Sequence, residues 1–218
     1  MCNLYSLTKG QAAIVAMVRA MRDITGNLPP LPGIFPDCMA PIVRNAPDGV
    51  RELATARWGM PGPRASGGVP ITNIRNTSSP HWRRWLKPEA RCVVPWTSFC
   101  EYQDTQPQKT PTWFALDESR PLAFFAGIWT KWHGKRGPKS NPVEGVHRLF
   151  GILTTDANDV VGAIHRKAMP VILTTQAEIE QWMTAPAEEA LKLQRPLPDG
   201  VLTIVATGPN EDAAHVSS

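Results

Sequence analysis

Twenty-two prolines and sixteen glycines are spread along this 218-residue chain and divide it into short pieces. Proline removes a backbone donor and fixes φ, while glycine frees the backbone, so long uninterrupted helices are excluded and turns are frequent. No apolar run approaches the roughly 18 residues of a membrane-spanning helix. Residues 38–44, 51–58, 91–96, 112–116, 122–130, 147–154, 170–174 and 201–207 are rich in β-branched and aromatic side chains and read as strands. Thr8 and Gln11 have capping-box spacing; Ile14, Met17, Val18 and Met21 follow at helical spacing, with Gly26 as a stop. Thr175 and Glu178 form a second capping box, opening a helix with Ile179, Trp182 and Met183 on one face. A short helix is expected over 157–165, and loops over 27–36 and 59–70. Strands outnumber helices without regular alternation. This predicts an α+β fold, a mixed and mostly antiparallel sheet with a barrel-like core and short flanking helices. With 42% apolar residues, one domain over 1–218 is expected, its core about 2–208 and its last eight or so residues frayed.

The net charge of +4 and pI near 9.0 permit a polyanionic partner. The four cysteines, at 2, 38, 92 and 100, include no C-x-x-C pair, so no structural zinc is expected. They are too sparse for a secreted disulfide scaffold. No charged region followed by an apolar run opens the chain. The expectation is a cytoplasmic monomer with free thiols, using no metal, cofactor or membrane.

Cys2 is the most reactive candidate. Cysteine is small enough for a preceding initiator Met to be removed, which would leave an amine and a thiol on adjacent carbons. Their ordinary pKa values, about 7.7–8.0 and about 8.5, leave part of each deprotonated at neutral pH. An aldehyde meeting such a 1,2-aminothiol forms an imine, and the sulfur closes on the imine carbon to give a thiazolidine, an intramolecular second step. The plain alternative is a frayed terminus.

Three polar residues sit in extended or apolar context. Glu101 follows the run from Val93 to Cys100; it is either a strand-edge charge or a buried acid with a raised pKa. His165 closes the expected short helix, satisfying its dipole or serving as a general acid/base. Asn73 lies in a Pro-flanked segment where asparagine is usually a turn residue. Basic and aromatic residues interleave in His81-Trp82-Arg83-Arg84-Trp85, and again in Trp129, Lys131, Trp132, His133, Lys135, Arg136 and Lys139. Such interleaving suits nucleic acid, with cations on phosphates and rings under bases. Against it, Trp82 and Trp85 share a helix face and would serve as core, and the second stretch reads as a solvated hairpin loop.

Taken in order, Met1-Cys2, Trp58-Gly59, Ile71-Thr72-Asn73-Ile74-Arg75, Arg91-Cys92-Val93-Val94-Pro95, Phe99-Cys100-Glu101-Tyr102, Leu153-Thr154-Thr155, Ile164-His165 and Met169-Pro170-Val171-Ile172-Leu173 resemble the SRAP family over about residues 2–208. These are the SOS response-associated peptidase-like, abasic-site-processing proteins. The resemblance implies that Cys2 crosslinks to the aldehyde of an abasic site in single-stranded DNA as a thiazolidine. It implies Asn73 as an active-site amide, Glu101 as the carboxylate, and His165 as the histidine that assists sugar opening and crosslink reversal. It also implies Arg75 as a phosphate contact, Trp58 as an aromatic near the bent strand, and Pro41 and Thr154 lining a DNA channel. A peptidase assignment and self-processing that exposes Cys2 belong to the same picture.

The sequence departs from the commonest family pattern in four places. Asn3-Leu4-Tyr5 stands where many members have Gly-Arg-Phe, and Asn73-Ile74-Arg75-Asn76 replaces a small residue after the Asn and an acid after the Arg. His165 is separated from Met169-Pro170 by one extra residue, which leaves open whether Arg166 or Lys167 takes the usual arginine's place. Ala206-Thr207-Gly208-Pro209-Asn210 replaces a longer basic ending. Two other readings of the chain stay open: an N-terminal-nucleophile amidohydrolase or peptidase in which the Cys2 amine is the base, and a non-enzymatic nucleic-acid-binding module.

Overall fold

The structure, a computed structural model, describes residues 2–63, 68–138 and 140–213. Its strands are β1 (Tyr5–Leu7), β2 (Arg22–Asp23), β3 (Leu31–Ile34), β4 (Met39–Asn45), β5 (Arg51–Trp58), β6 (Asn73–Ile74), β7 (Arg91–Trp96), β8 (Ser98–Gln103), β9 (Thr110–Ala115), β10 (Ala123–Arg136), β11 (Val143–Thr155), β12 (Met169–Pro170), β13 (Ile172–Leu173) and β14 (Thr203–Thr207). The helices are α1 (Gln11–Val18), α2 (Pro80–Arg83), α3 (Asp159–Gly162), α4 (Gln176–Thr184) and α5 (Ala187–Leu191). Short elements are what the proline and glycine content dictates, and the fold is α+β as the sequence indicates.

Strands β11, β10, β7, β4 and β5 are neighbours in one sheet, and β5 then meets β11 in parallel at Arg57–Leu149 and Trp58–Phe150, closing a small barrel. Closure buries both faces of β7, so its six residues show no alternation. Trp58 stacks on Phe150 at 6.2 Å between centroids, and Tyr5 meets Trp58 edge-on at 5.2 Å. A Cβ on Gly151 would come within 2.8 Å of Ile74 Cδ1, so the missing side chain lets β6 press against β11.

The second sheet is antiparallel, in the order β14-β9-β8-β1-β3. The chain switches sheets at Thr97, between β7 and β8, where the Thr97 N–H donates to Ser6 O at 2.8 Å. This corner accounts for the first departure from expectation. Thr8 caps no helix; its backbone N–H donates to Thr97 Oγ1 at 3.2 Å. Helix α1 starts after Gly10 without a side-chain cap and ends at Arg19, whose φ of 51° is left-handed. The Gln11 amide instead spans the turn that follows, to Asp23, Thr25 and Gly26 O. Met21 therefore falls off the helix and is 84% exposed.

Two further elements differ from the sequence reading. The 27–36 loop contains β3. The second basic-aromatic stretch is not a loop but the outer half of β10, paired residue by residue with β11 from Gly127–Ile152 to Arg136–Val143; Lys139 lies outside the described residues, as do 64–67 of the Gly/Pro loop. In the first stretch Trp82 and Trp85 are buried 5.7 Å apart while Arg83 and Arg84 face out, so the core alternative holds. The ordered chain also runs past residue 208. Asp212 is buried, accepting from Ser98 Oγ at 2.6 Å and pairing with Arg120 Nε at 2.7 Å, while its carbonyl accepts from Ser6 Oγ at 3.1 Å. At this end of the chain, residues 214–218 lie outside the described residues.

The second capping box is realised. Thr175 Oγ1 accepts from Glu178 N, and Glu178 Oε2 accepts from Thr175 N, each at 3.2 Å. The box sets α4 so that Ile179, Trp182 and Met183 are buried and Trp182 Nε1 donates to Cys92 O at 2.8 Å. Thr175→Ala should lower stability by about 1 kcal/mol, measured as a shift in the urea midpoint with an unchanged slope. An unchanged midpoint would show that tertiary packing alone holds α4.

Candidate active site

Four separate segments meet at the start of the chain. Residues 2–4 continue the line of β1 along β8: Leu4 O accepts from Cys100 N at 2.9 Å, which carries Cys2 toward Glu101. Cys2 is fully buried, and its thiol donates to Leu4 O at 3.6 Å. From β6, the Asn73 side-chain amide donates to Cys2 O at 2.8 Å and to Thr72 Oγ1 at 2.9 Å. Asn73 reaches this point because β6 is zipped onto β11, with Asn73 opposite Ile152. The turn between α3 and β12 supplies His165, whose Nδ1 lies 3.2 Å from Ala168 O and 3.9 Å from Glu101 Oε2. His165 sits just beyond the end of α3, its N–H still donating to Val161 O at 2.7 Å.

Electrostatics separates these groups from their ordinary behaviour. Glu101 is 2% exposed, and burial lifts its carboxyl from an ordinary 4.5 to about 7. Burial also pushes the Cys2 thiol well up, and the nearby Glu101 charge adds to that push. His165 is shifted the other way, its charged form disfavoured first by burial, with Lys167 adding to the effect. A carboxyl raised and an imidazole lowered approach one another in acidity, which suits a pair exchanging a proton near neutral pH.

The remaining sequence candidates lie at varying depths around this cluster. Thr154 is at the inner end of β11, opposite Pro170, and its buried hydroxyl has no hydrogen-bond partner among the described residues. The Asn73 Oδ1 is likewise unpartnered. Arg75 is exposed beside the His165 turn, ion-paired with Asp156 and 3.4 Å from Lys167 O. An exposed pair of this kind is weak, so Arg75 can exchange it for another anion. Trp58 and Pro41 are buried in barrel strands. Trp58 acts at one remove, its Nε1 donating to Thr72 O at 3.1 Å. Sequence reasoning named Thr72 and Asn3 within longer stretches but gave neither a role in the site. Thr72 O also accepts from Ile152 N at 2.9 Å, and Thr72 Oγ1 contacts Asn3 Oδ1 at 3.3 Å, linking the barrel wall to the Cys2 segment. The signal available was their adjacency to Asn73 and Cys2. Among the described residues no group of three or more His, Cys, Asp or Glu is placed to hold a metal ion, and no helix is long and apolar enough to cross a membrane.

The family model for SOS response associated peptidase (SRAP) matches residues 1–209. The chain belongs to the SRAP family. Two curated relatives from Bacillus subtilis (strain 168) are the abasic site processing protein YoqW, 33% identical over 138 residues, and the abasic site processing protein YoaM, 32% identical over 141 residues. Each match covers 61% of this chain, and the aligned stretch spans 57% of YoqW and 56% of YoaM, little more than half of either relative. Among solved structures, a protein from Bordetella bronchiseptica superposes with a TM-score of 0.71 at 23% identity, covering 93% of this chain and 98% of that one. A protein from Bacteroides thetaiotaomicron gives 0.69 at 20% identity, covering 93% and 90%. These two likenesses establish a shared fold. The placement of Cys2 against β8 and β6 thus belongs to a chain whose family is fixed over nearly its whole length.

Proposed function

We propose that this SRAP protein processes abasic sites in single-stranded DNA by forming a thiazolidine between Cys2 and the open-chain aldehyde of the damaged sugar. The observation that carries the reading is the Asn73 amide holding the Cys2 carbonyl at 2.8 Å, with Glu101 raised to about 7 by burial beside the same residue. Once Met1 is removed, the Cys2 amine adds to the aldehyde carbon to give a carbinolamine. Loss of water leaves an imine. The thiol then adds across the C=N bond, sulfur to carbon and its proton ultimately to nitrogen. Because the buried thiol holds its proton, the amine is the first nucleophile. Sugar opening needs a proton delivered to the ring oxygen and one taken from the hydroxyl. In this reading protonated Glu101 serves the first task and neutral His165 the second; the raised Glu101 carboxyl and the lowered His165 imidazole support it. No step calls for a metal or cofactor. The peptidase assignment fits as the self-processing that frees the Cys2 amine, and turnover is slow because the protein becomes part of its product.

The test is incubation of the purified protein with a single-stranded oligonucleotide carrying one abasic site. A denaturant-resistant shifted band is expected, absent with undamaged DNA and with protein that intact-mass measurement shows to retain Met1. Full crosslinking by Met1-retaining protein would sink the amine-first order. Separately, Arg75→Ala should weaken binding of undamaged single strands and flatten its log–log salt dependence by about 1, the release expected for one phosphate contact. An unchanged slope would leave Arg75 as the partner of Asp156 alone.

A further inference from the structure

A cleft of about 440 Å³ lies where the outer half of the β10–β11 hairpin faces β4 and β5, lined by Met39, Thr55, Arg57, Lys131, His147 and Arg148 among others. Arg57, Lys131 and Arg148 carry positive charge, and among the described residues no carboxylate lines the cleft. Arg57 Nη1 donates to the Asp37 backbone carbonyl, and the Asp37 carboxylate is 3.5 Å from the same nitrogen. Arg57 Nε is buried without a hydrogen-bond partner among the described residues. Near these charges, Arg136 lies over the Trp132 ring at 4.4 Å, and its buried Nε and Nη2 also have no partner among the described residues. Burial disfavours the Arg136 charge, Asp37 favours it and Arg57 opposes it, so two guanidiniums share one carboxylate. Elsewhere on the hairpin, Lys135 is matched by Glu144 at 3.6 Å. Three unpartnered guanidinium nitrogens and an excess of positive charge are costly to leave unanswered. An anion with several acceptor oxygens would answer them, since arginine forks are well shaped for one.

The cleft is joined to the Cys2 site through the barrel wall. Arg57 precedes Trp58, whose indole holds Thr72 beside Asn73. Arg148 and Thr154 lie on the same strand, β11, about 20 Å apart at roughly 3.3 Å per residue. We propose that this cleft takes backbone phosphates of the same single strand that presents its abasic site to Cys2, so that the strand runs on across the barrel wall. The proposal rests on the functional reading above and extends its footprint.

Undamaged single-stranded oligonucleotides of about 5 and about 15 nucleotides, within the range of single-strand site sizes, supply the probe. Their affinities are read by fluorescence anisotropy over a salt series, with melting curves confirming that each variant is folded. In wild type the longer strand should bind more tightly. Substituting both Lys131→Ala and Arg148→Ala should cut the long-to-short affinity ratio about tenfold and flatten the long strand's salt slope by about 1–2. Exchanging the two cations, Lys131→Arg with Arg148→Lys, should restore both. A double-alanine ratio and slope equal to wild type would overturn the proposal, as would an exchange variant that falls as far as the alanine variant. Because undamaged strands are used, the outcome is separate from adduct formation. If wild type forms no adduct with abasic DNA, the functional reading fails, while this length dependence is still decided on its own.

Discussion

Cys2→Ala should yield no denaturant-resistant adduct with abasic single-stranded DNA, while its affinity for undamaged strands stays close to that of wild type. The loss is complete because alanine keeps the amine but has no sulfur, so an imine can form and then hydrolyse. Borohydride trapping of that imine in the alanine variant separates the two steps. A trapped species together with no stable product supports amine-first attack. Cys2→Ser separates the remaining readings. It cannot form a thiazolidine, an N-terminal-nucleophile amidohydrolase would keep some activity with the hydroxyl, and a simple binding module would be untouched. A stable adduct formed by Cys2→Ala would assign the chemistry to another nucleophile and remove the basis of the proposal. The side chain is small and its hydrogen bond to Leu4 O, at 3.6 Å, is weak, so a folding defect should not obscure the result.

His165→Ala should slow adduct formation and reversal together, by roughly 10²–10⁴-fold, because a proton shuttle serves both directions. Glu101→Gln should slow formation and remove the part of the pH–rate profile that titrates near 7, since burial places the carboxyl there in the folded chain. Rates equal to wild type across neutral pH in both variants would reduce the two residues to structural roles. Stability gives an independent reading of Glu101. Its pKa is about 4.5 in the unfolded chain and about 7 in the folded one, so between those values the folded state binds more protons. Wild-type stability therefore has the full Glu101 contribution below about pH 4.5, declines as pH rises toward 7, and carries the whole burial penalty above that. Glu101→Gln removes the ionisation, so the variant should be more stable than wild type at pH 8, on the order of 3 kcal/mol at about 1.4 kcal/mol per pH unit between 4.5 and about 7. At about 2–4 °C per kcal/mol for a chain this long, melting curves resolve the gain, and it should vanish near pH 4.5. A residue more stable when neutralised and slower when neutralised has traded stability for chemistry.

Wherever one short stretch held the whole interaction, the sequence was sufficient. The Thr175–Glu178 box needs only residues three apart, and it forms as read. Trp82 and Trp85 share a face at the same spacing and are both buried. The apolar β-branched run of 91–96 becomes a strand covered on both sides. Cys2, Asn73, Glu101 and His165 were legible as chemistry-bearing types in apolar or extended settings, and the family was legible from their order. What no local pattern could supply was contact between distant residues. Thr8 and Gln11 have the same spacing as the working box, yet Thr8 is bonded to Thr97, 89 positions away, because the sheet corner offers its backbone N–H a partner before a helix does. The parallel pairings of β11, with residues 57–58 of β5 and with residues 73–74 of β6, join segments far apart in the chain, and the second of them brings Asn73 to a carbonyl 71 positions earlier. Asp212 looked like part of a frayed tail, since a single acid near a terminus shows no periodicity; Arg120 and Ser98 make it core. Residue identity determined which groups could react. The barrel decided which of them would be dry and adjacent, because desolvation is a property of the surroundings and not of the side chain.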